Sequence, residues 1–110
     1  MPRDDEALIE RIRAILKHRN GYSEKKMFGG VAFMIGGNMC CGPWGDSLIV
    51  RLSKDDHEET QTEPHVRPMD ITGKVMRGWA LIEPAGIETD GQLKAWVRRA
   101  VKFAASLPAK

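Results

Sequence analysis

The apolar positions of this chain change period several times, and each change marks an element. Over residues 4–19, Leu8, Ile9, Ile12, Ile15 and Leu16 recur at three- and four-residue spacing, which gathers them on one stripe of a helix. Asp4, Asp5 and Glu6 at its start and Lys17, His18 and Arg19 at its end both complement the helix dipole, and Gly21 supplies a stop. Over residues 27–35 the pattern shortens to alternation, with Val31, Phe33 and Ile35 on one face and Ala32 and Met34 on the other, as a strand requires. Gly36-Gly37-Asn38 reads as a hairpin turn, because the primed turns need positive φ and glycine adopts it without a steric penalty. A second strand, residues 38–42, ends where Pro43-Trp44-Gly45-Asp46 breaks the pairing and turns the chain. Residues 47–52, apolar at Leu48, Ile49, Val50 and Leu52, form a third.

Ser53 and the acidic residues behind it open a short helix over residues 53–59, which Thr60, Thr62 and Pro64 keep to about two turns. Residues 65–70 read as an edge strand, since Pro68 has no N–H to give to a ladder. Thr72-Gly73-Lys74 turns the chain, and residues 75–83 make a further strand that Pro84 and Gly86 end. The last helix, residues 88–106, carries Leu93, Trp96, Val97, Ala100, Val101 and Ala104 on one stripe, with Thr89 or Asp90 as its cap. The order α-β-β-β-α-β-β-α predicts an α+β fold of two layers, a five-stranded antiparallel sheet with helices packed on it. Ile12, Leu16, Phe33, Val50, Leu81, Trp96 and Val97 are its predicted core.

A length of 110 residues allows one domain and one core. With 42% hydrophobic and 29% charged residues the chain has the composition of a globular protein that folds without a cofactor. Its 17 basic and 15 acidic residues are scattered. No basic stripe tracks phosphates and no helix carries a one-sided set of base-reading side chains, so specific binding to duplex DNA is not expected. The two cysteines are adjacent, which disfavours an ordinary disulfide and points to a reducing compartment. The start of the chain lacks the apolar core of a signal peptide, and nowhere do 18 apolar residues follow one another. The expectation is a cytoplasmic protein without a membrane span.

Nucleophilic catalysis would have to pair Cys40 or Cys41 with His57 or His65. A strand cysteine is ordinarily a small hydrophobe, and no enzyme is predicted. Adjacent strand residues face opposite sides, so one thiol is predicted to pack under a helix and the other to lie accessible. The run Asp55-Asp56-His57-Glu58-Glu59 is rich in ligand atoms but matches no closed metal site, and reads as a solvated helix start. His65, Arg67 and Asp70 would line a shallow groove with Arg51 if the edge strand lay beside the third strand. Gly29-Gly30 lacks the Lys-Ser/Thr of a phosphate loop. Like Gly78, it reads as a close backbone approach on which Trp79, Trp96 or a helix rests.

Lys26-Met27-Phe28-Gly29-Gly30, the stretch over residues 42–52, Arg67-Pro68-Met69, Gly78-Trp79 and the closing Leu107-Pro108, in that order, resemble the N-terminal domain of the TfoX/Sxy family over nearly the whole chain. Pro43 departs from the ordinary strand residue that family members carry there. The resemblance implies one antiparallel sheet with helices packed on it. TfoX/Sxy proteins regulate natural competence; the full-length ones act with the catabolite activator protein and carry a C-terminal helical domain, which has no counterpart in these 110 residues. The resemblance therefore implies a non-enzymatic interaction module without a cofactor, an accessory factor in transcription or competence regulation. Its partner would be a protein of the transcription machinery, held by a surface of Met27, Phe28, Gly29, Gly30, Trp44, Gly78 and Trp79, and a homodimer is compatible with it. The second reading is a small-ligand or thiol-dependent protein built on Cys40, Cys41, Arg51, His65, Arg67 and Asp70.

Overall fold

The computed structural model describes residues 6–27, 30–70 and 73–108, Met27 through its backbone alone. Helix α1, Glu6–Leu16, is followed by strands β1 (Tyr22–Met27), β2 (Gly30–Ile35), β3 (Asn38–Trp44) and β4 (Ser47–Arg51). A 3-10 turn, Lys54–Asp56, leads into the short helix α2, His57–Thr60. Strands β5 (Val66–Pro68) and β6 (Trp79–Ile82), a second 3-10 turn at Pro84–Gly86 and the long helix α3, Asp90–Ser106, complete the chain. The strands form one antiparallel sheet in the order β1-β2-β3-β4-β6-β5.

The sheet has six strands where the sequence predicts five. The additional one is β1, which pairs with β2 from Tyr22↔Ile35 to Met27↔Gly30. Residues 27–35 are thus not one strand: Met27 ends one and Gly30 begins the next, and Phe28 and Gly29 lie outside the described residues. Strand β1 is held by side chains that carry no apolar alternation. Tyr22 stacks on Phe33 with ring centroids 6.4 Å apart, and both oxygens of Glu24 accept hydrogen bonds from Arg13 of α1, at 2.8 and 2.9 Å.

Strand β3 also runs further than predicted, through Pro43 to Trp44. The two-residue turn Gly45-Asp46 makes Trp44↔Ser47 a hydrogen-bonded pair, and Gly45 at φ 61 supplies its positive-φ position. Pro43↔Leu48 is then a non-hydrogen-bonded pair, so the Pro43 nitrogen faces away from β4. The described pairing with β2 has already ended at Cys41, so the missing N–H breaks no ladder bond there.

Both long helices lie on one face of the sheet. Leu8, Ile12 and Leu16 of α1 and Leu93, Trp96, Val97, Ala100, Val101 and Ala104 of α3 pack on Phe33, Ile35, Leu48, Val50, Ala80 and Ile82. Thr89 caps α3 with a reciprocal capping box: the Gln92 N–H donates to Thr89 Oγ1 at 3.1 Å, and the Thr89 N–H donates to Gln92 Oε1 at 2.9 Å. Leu81 departs from the predicted core. The register pairs Ala80 with Val50 and Ile82 with Leu48, which turns those two toward the helices and Leu81 to the opposite face. No helix among the described residues is long and apolar enough to cross a membrane.

Candidate functional site: the helix-free face of the sheet

Because side chains alternate along a strand, the face turned away from α1 and α3 follows from the register. It carries Ala32 and Met34 of β2, Met39 and Trp44 of β3, Ile49 of β4, and Trp79 and Leu81 of β6. These form a second apolar cluster with Met69 and Met76, which the connection between β5 and β6 lays across one side of the face. The connection is tied by backbone bonds, the Met76 N–H donating to the Met69 carbonyl at 3.0 Å and the Trp79 N–H to that of Met76 at 3.1 Å. Met39, Ile49 and Met69 are buried, whereas Met34, Trp44, Met76, Trp79 and Leu81 remain half-buried. Four methionines and two tryptophans therefore meet on a surface that no described helix covers. Methionine is unbranched and polarizable and repacks readily, which suits a surface that must fit a partner.

Two cations stand at the margins. Lys25 of β1 pairs with Ala32 and shares its face, and Arg51 of β4 reaches between two rings, 5.6 Å from the Trp79 centroid and 5.7 Å from that of Phe103 on α3. Neither has an ion pair among the described residues. Of the surface predicted from sequence, Trp44 and Trp79 lie on this face and Gly30 at its margin. Phe28 and Gly29 are outside the described residues, and Met27 is placed by its backbone at the end of β1.

Gly78 is buried and belongs to the frame of the site. Its φ is 88°, its N–H donates to Nδ1 of the buried His57 at 3.1 Å, and its carbonyl accepts the Leu52 N–H at 2.7 Å. A β-carbon there would stand 2.7 Å from the Leu52 oxygen, so the predicted close approach is one of backbone on backbone. His57 is likewise a buried acceptor that fixes the start of β6 rather than part of a solvated helix start.

The thiols do not face opposite sides. Phe33 pairs with Cys41 but Met34 pairs with Met39, so Cys40 is the extra residue of a β-bulge. The bulge cancels one alternation and sends both side chains into the helix-side core, where each is fully buried. A hydrogen bond to Cys40, reinforced by burial, pushes the Cys41 thiol well above its ordinary range. The groove predicted for Arg51, His65, Arg67 and Asp70 does not assemble, because β6 lies between β4 and β5. Arg67 meets Glu83 at 3.6 Å, and Asp70 accepts the Gly73 N–H through its backbone carbonyl. His65, the one described residue other than glycine at positive φ (64°), lines a separate recess with Trp96 and Arg99. Among the described residues no three His, Cys, Asp or Glu side chains gather as metal ligands.

The sequence pattern singles out Trp44 and Trp79 for this surface but not Met34, Met39, Met69 and Met76. The signal was present as alternation in β2, where Ala32 and Met34 oppose Val31, Phe33 and Ile35, and it becomes readable once the neighbouring strands are in register.

The family model of the TfoX N-terminal domain matches residues 14–104 of the chain. The match takes in every strand and nearly all of α3, and the chain belongs to that family. No curated protein matches the sequence.

Proposed function

We propose that this TfoX N-terminal domain is a non-enzymatic protein-interaction module that docks a partner on the helix-free face of its sheet. The observation that carries the reading is the asymmetry of the two faces. One is sealed by α1 and α3, while the other presents Met34, Trp44, Trp79 and Leu81 half-buried over an apolar floor. Apolar side chains gathered on one uncovered face are the kind of surface that docking sites use, and tryptophan is among the residue types most enriched where binding energy concentrates. Lys25 and Arg51 at the margins, without an ion pair among the described residues, suit a partner segment with apolar anchors and acidic flanks. The family resemblance makes a component of the transcription machinery the partner class, with the domain as an accessory factor in transcription or competence regulation.

The test places a photocrosslinking amino acid at Met34 in living cells and, as a reference, at the exposed Lys94 of α3, and identifies what each captures. The reading expects one protein captured from Met34 and not from Lys94. The purified pair should then lose at least about tenfold in affinity, roughly 1.4 kcal/mol, on Trp44→Ser. Equal capture from both positions, or an affinity indifferent to Trp44→Ser and Trp79→Ser, would refute it.

A further inference from the structure

On the helix side a recess of about 380 Å³ opens between the 3-10 turn Lys54–Asp56 with α2 and the C-terminal half of α3. Its apolar surface comes from Leu52 and Phe103, and Thr60 adds a hydroxyl. Charge of both signs lines it. Asp56 stands on the wall of the 3-10 turn, and Arg99 and Lys102 on that of α3. The Arg99 guanidinium is already engaged, forking onto both oxygens of Glu63 at 3.0 Å and stacking on Trp96 at 4.4 Å. Asp56 and Lys102 have no ion pair, with each other or with any other described residue. The recess is thus lined by one carboxylate and one ammonium that have no ion pair among the described residues, and by the Phe103 ring.

A neutral apolar molecule would leave both charges unused. A simple carboxylate would meet Lys102 but also face Asp56, and a simple amine the reverse. A zwitterion with an apolar side chain uses all three parts, and the volume lies within the range of small-molecule sites. We propose that this recess binds a free α-amino acid with an apolar side chain, its carboxylate at Lys102, its ammonium at Asp56 and its side chain against Phe103 and Leu52. The site is separate from the open sheet face and does not rest on the docking reading. Arg51, within 6 Å of both the Phe103 and Trp79 ring centroids, gives it an optical reporter in Trp79.

The full chain is titrated with L-phenylalanine and L-leucine, and with phenylpropionate and phenethylamine, which each lack one of the two charges. Amide shifts of residues 52–60 and 99–106 and the tryptophan emission are followed. The amino acids should saturate those residues with a dissociation constant of about 1 mM or below, and each single-charge analogue should bind about tenfold more weakly. Asp56→Asn should erase the preference for phenylalanine over phenylpropionate, and Lys102→Met the preference over phenethylamine. Both positions are exposed, so both variants should fold, which their amide spectra verify. Absence of saturable shifts up to about 10 mM, or binding indifferent to both variants, overturns the proposal. Trp44→Ser should leave this binding intact while it impairs docking, so failure of one reading is distinguishable from failure of the other.

Discussion

Gly78 and Gly73 share nearly the same backbone conformation, φ 88° and 84°, in very different surroundings, and the comparison isolates what a close backbone approach is worth. An alanine at either position meets the left-handed strain of an L residue, about 1–2 kcal/mol. At Gly73 the added methyl meets no atom of the described residues within 4 Å, so Gly73→Ala should cost that strain alone. At Gly78 the methyl would stand 2.7 Å from the Leu52 carbonyl oxygen and 3.2 Å from the Lys54 nitrogen. Gly78 cannot retreat without giving up its N–H bond to His57 or the bond it accepts from Leu52, and a buried polar group left unpaired costs a further 1–3 kcal/mol or so. Gly78→Ala should therefore destabilise by about 3 kcal/mol, a fall in Tm of about 15 °C for a domain of this size. Urea melts with an unchanged m-value give both numbers on one scale. A Gly78→Ala variant no less stable than Gly73→Ala would show that the packing of β6 against residues 52–57 yields freely, and the reasoning would fall.

Glu24→Gln tests the anchor of β1. The Arg13 guanidinium, followed by the Tyr22 hydroxyl, holds the Glu24 carboxyl down to about 2, so its contribution is present above the ordinary carboxylate value near 4.5 and is lost as pH falls toward 2. The pair is part-exposed, so the variant should be about 1 kcal/mol less stable at neutral pH, with the gap closing across that acid window in urea melts; a gap that persists unchanged to pH 2 would contradict the assignment. Neither Cys40 nor Cys41 should react quickly with a thiol reagent in the native protein, and both should titrate together on unfolding; one fast equivalent would mean that the bulge does not turn both inward. Trp96→Ala should cost about 3–5 kcal/mol, because the indole closes the core beneath α3, and a melt like that of the parent protein would exclude this.

Where one period holds over a whole element, the sequence alone locates it, and where a side chain's job is set by a partner far along the chain it does not. The stripes of α1 and α3, the Gly36-Gly37 hairpin and the strand at Leu48 to Val50 are all readable in this way. Tyr22-Ser23-Glu24-Lys25-Lys26 carries no apolar alternation to announce a strand, since what makes it one is Arg13 on α1 and Phe33 on β2. The bulge at Cys40 is silent for a related reason. Cys40, Cys41 and Gly42 are small enough to suit either face, and only the fixed partners Met34↔Met39 and Phe33↔Cys41 reveal the extra residue. His57 reads as part of a charged run because its acceptor role depends on Gly78, 21 residues away. Asp56 and Lys102 are unremarkable in sequence, and gain meaning from lining one recess.

The two edges of the sheet bear on which surface a partner can use. Strand β1 exposes Ser23, Glu24, Lys25 and Lys26, and β5 is three residues long and ends in Pro68. Charge, brevity and proline each discourage another strand from adding to an open edge. The two-layer fold is thus blunted where backbone could pair with backbone. Its uncovered apolar surface lies face-on, where recognition depends on side-chain packing and not on a ladder of main-chain bonds. A partner that docks there must bring its own apolar anchors to Trp44 and Trp79. For that reason substitution at those two rings, and not at the strand edges, is the perturbation to which binding should be most sensitive.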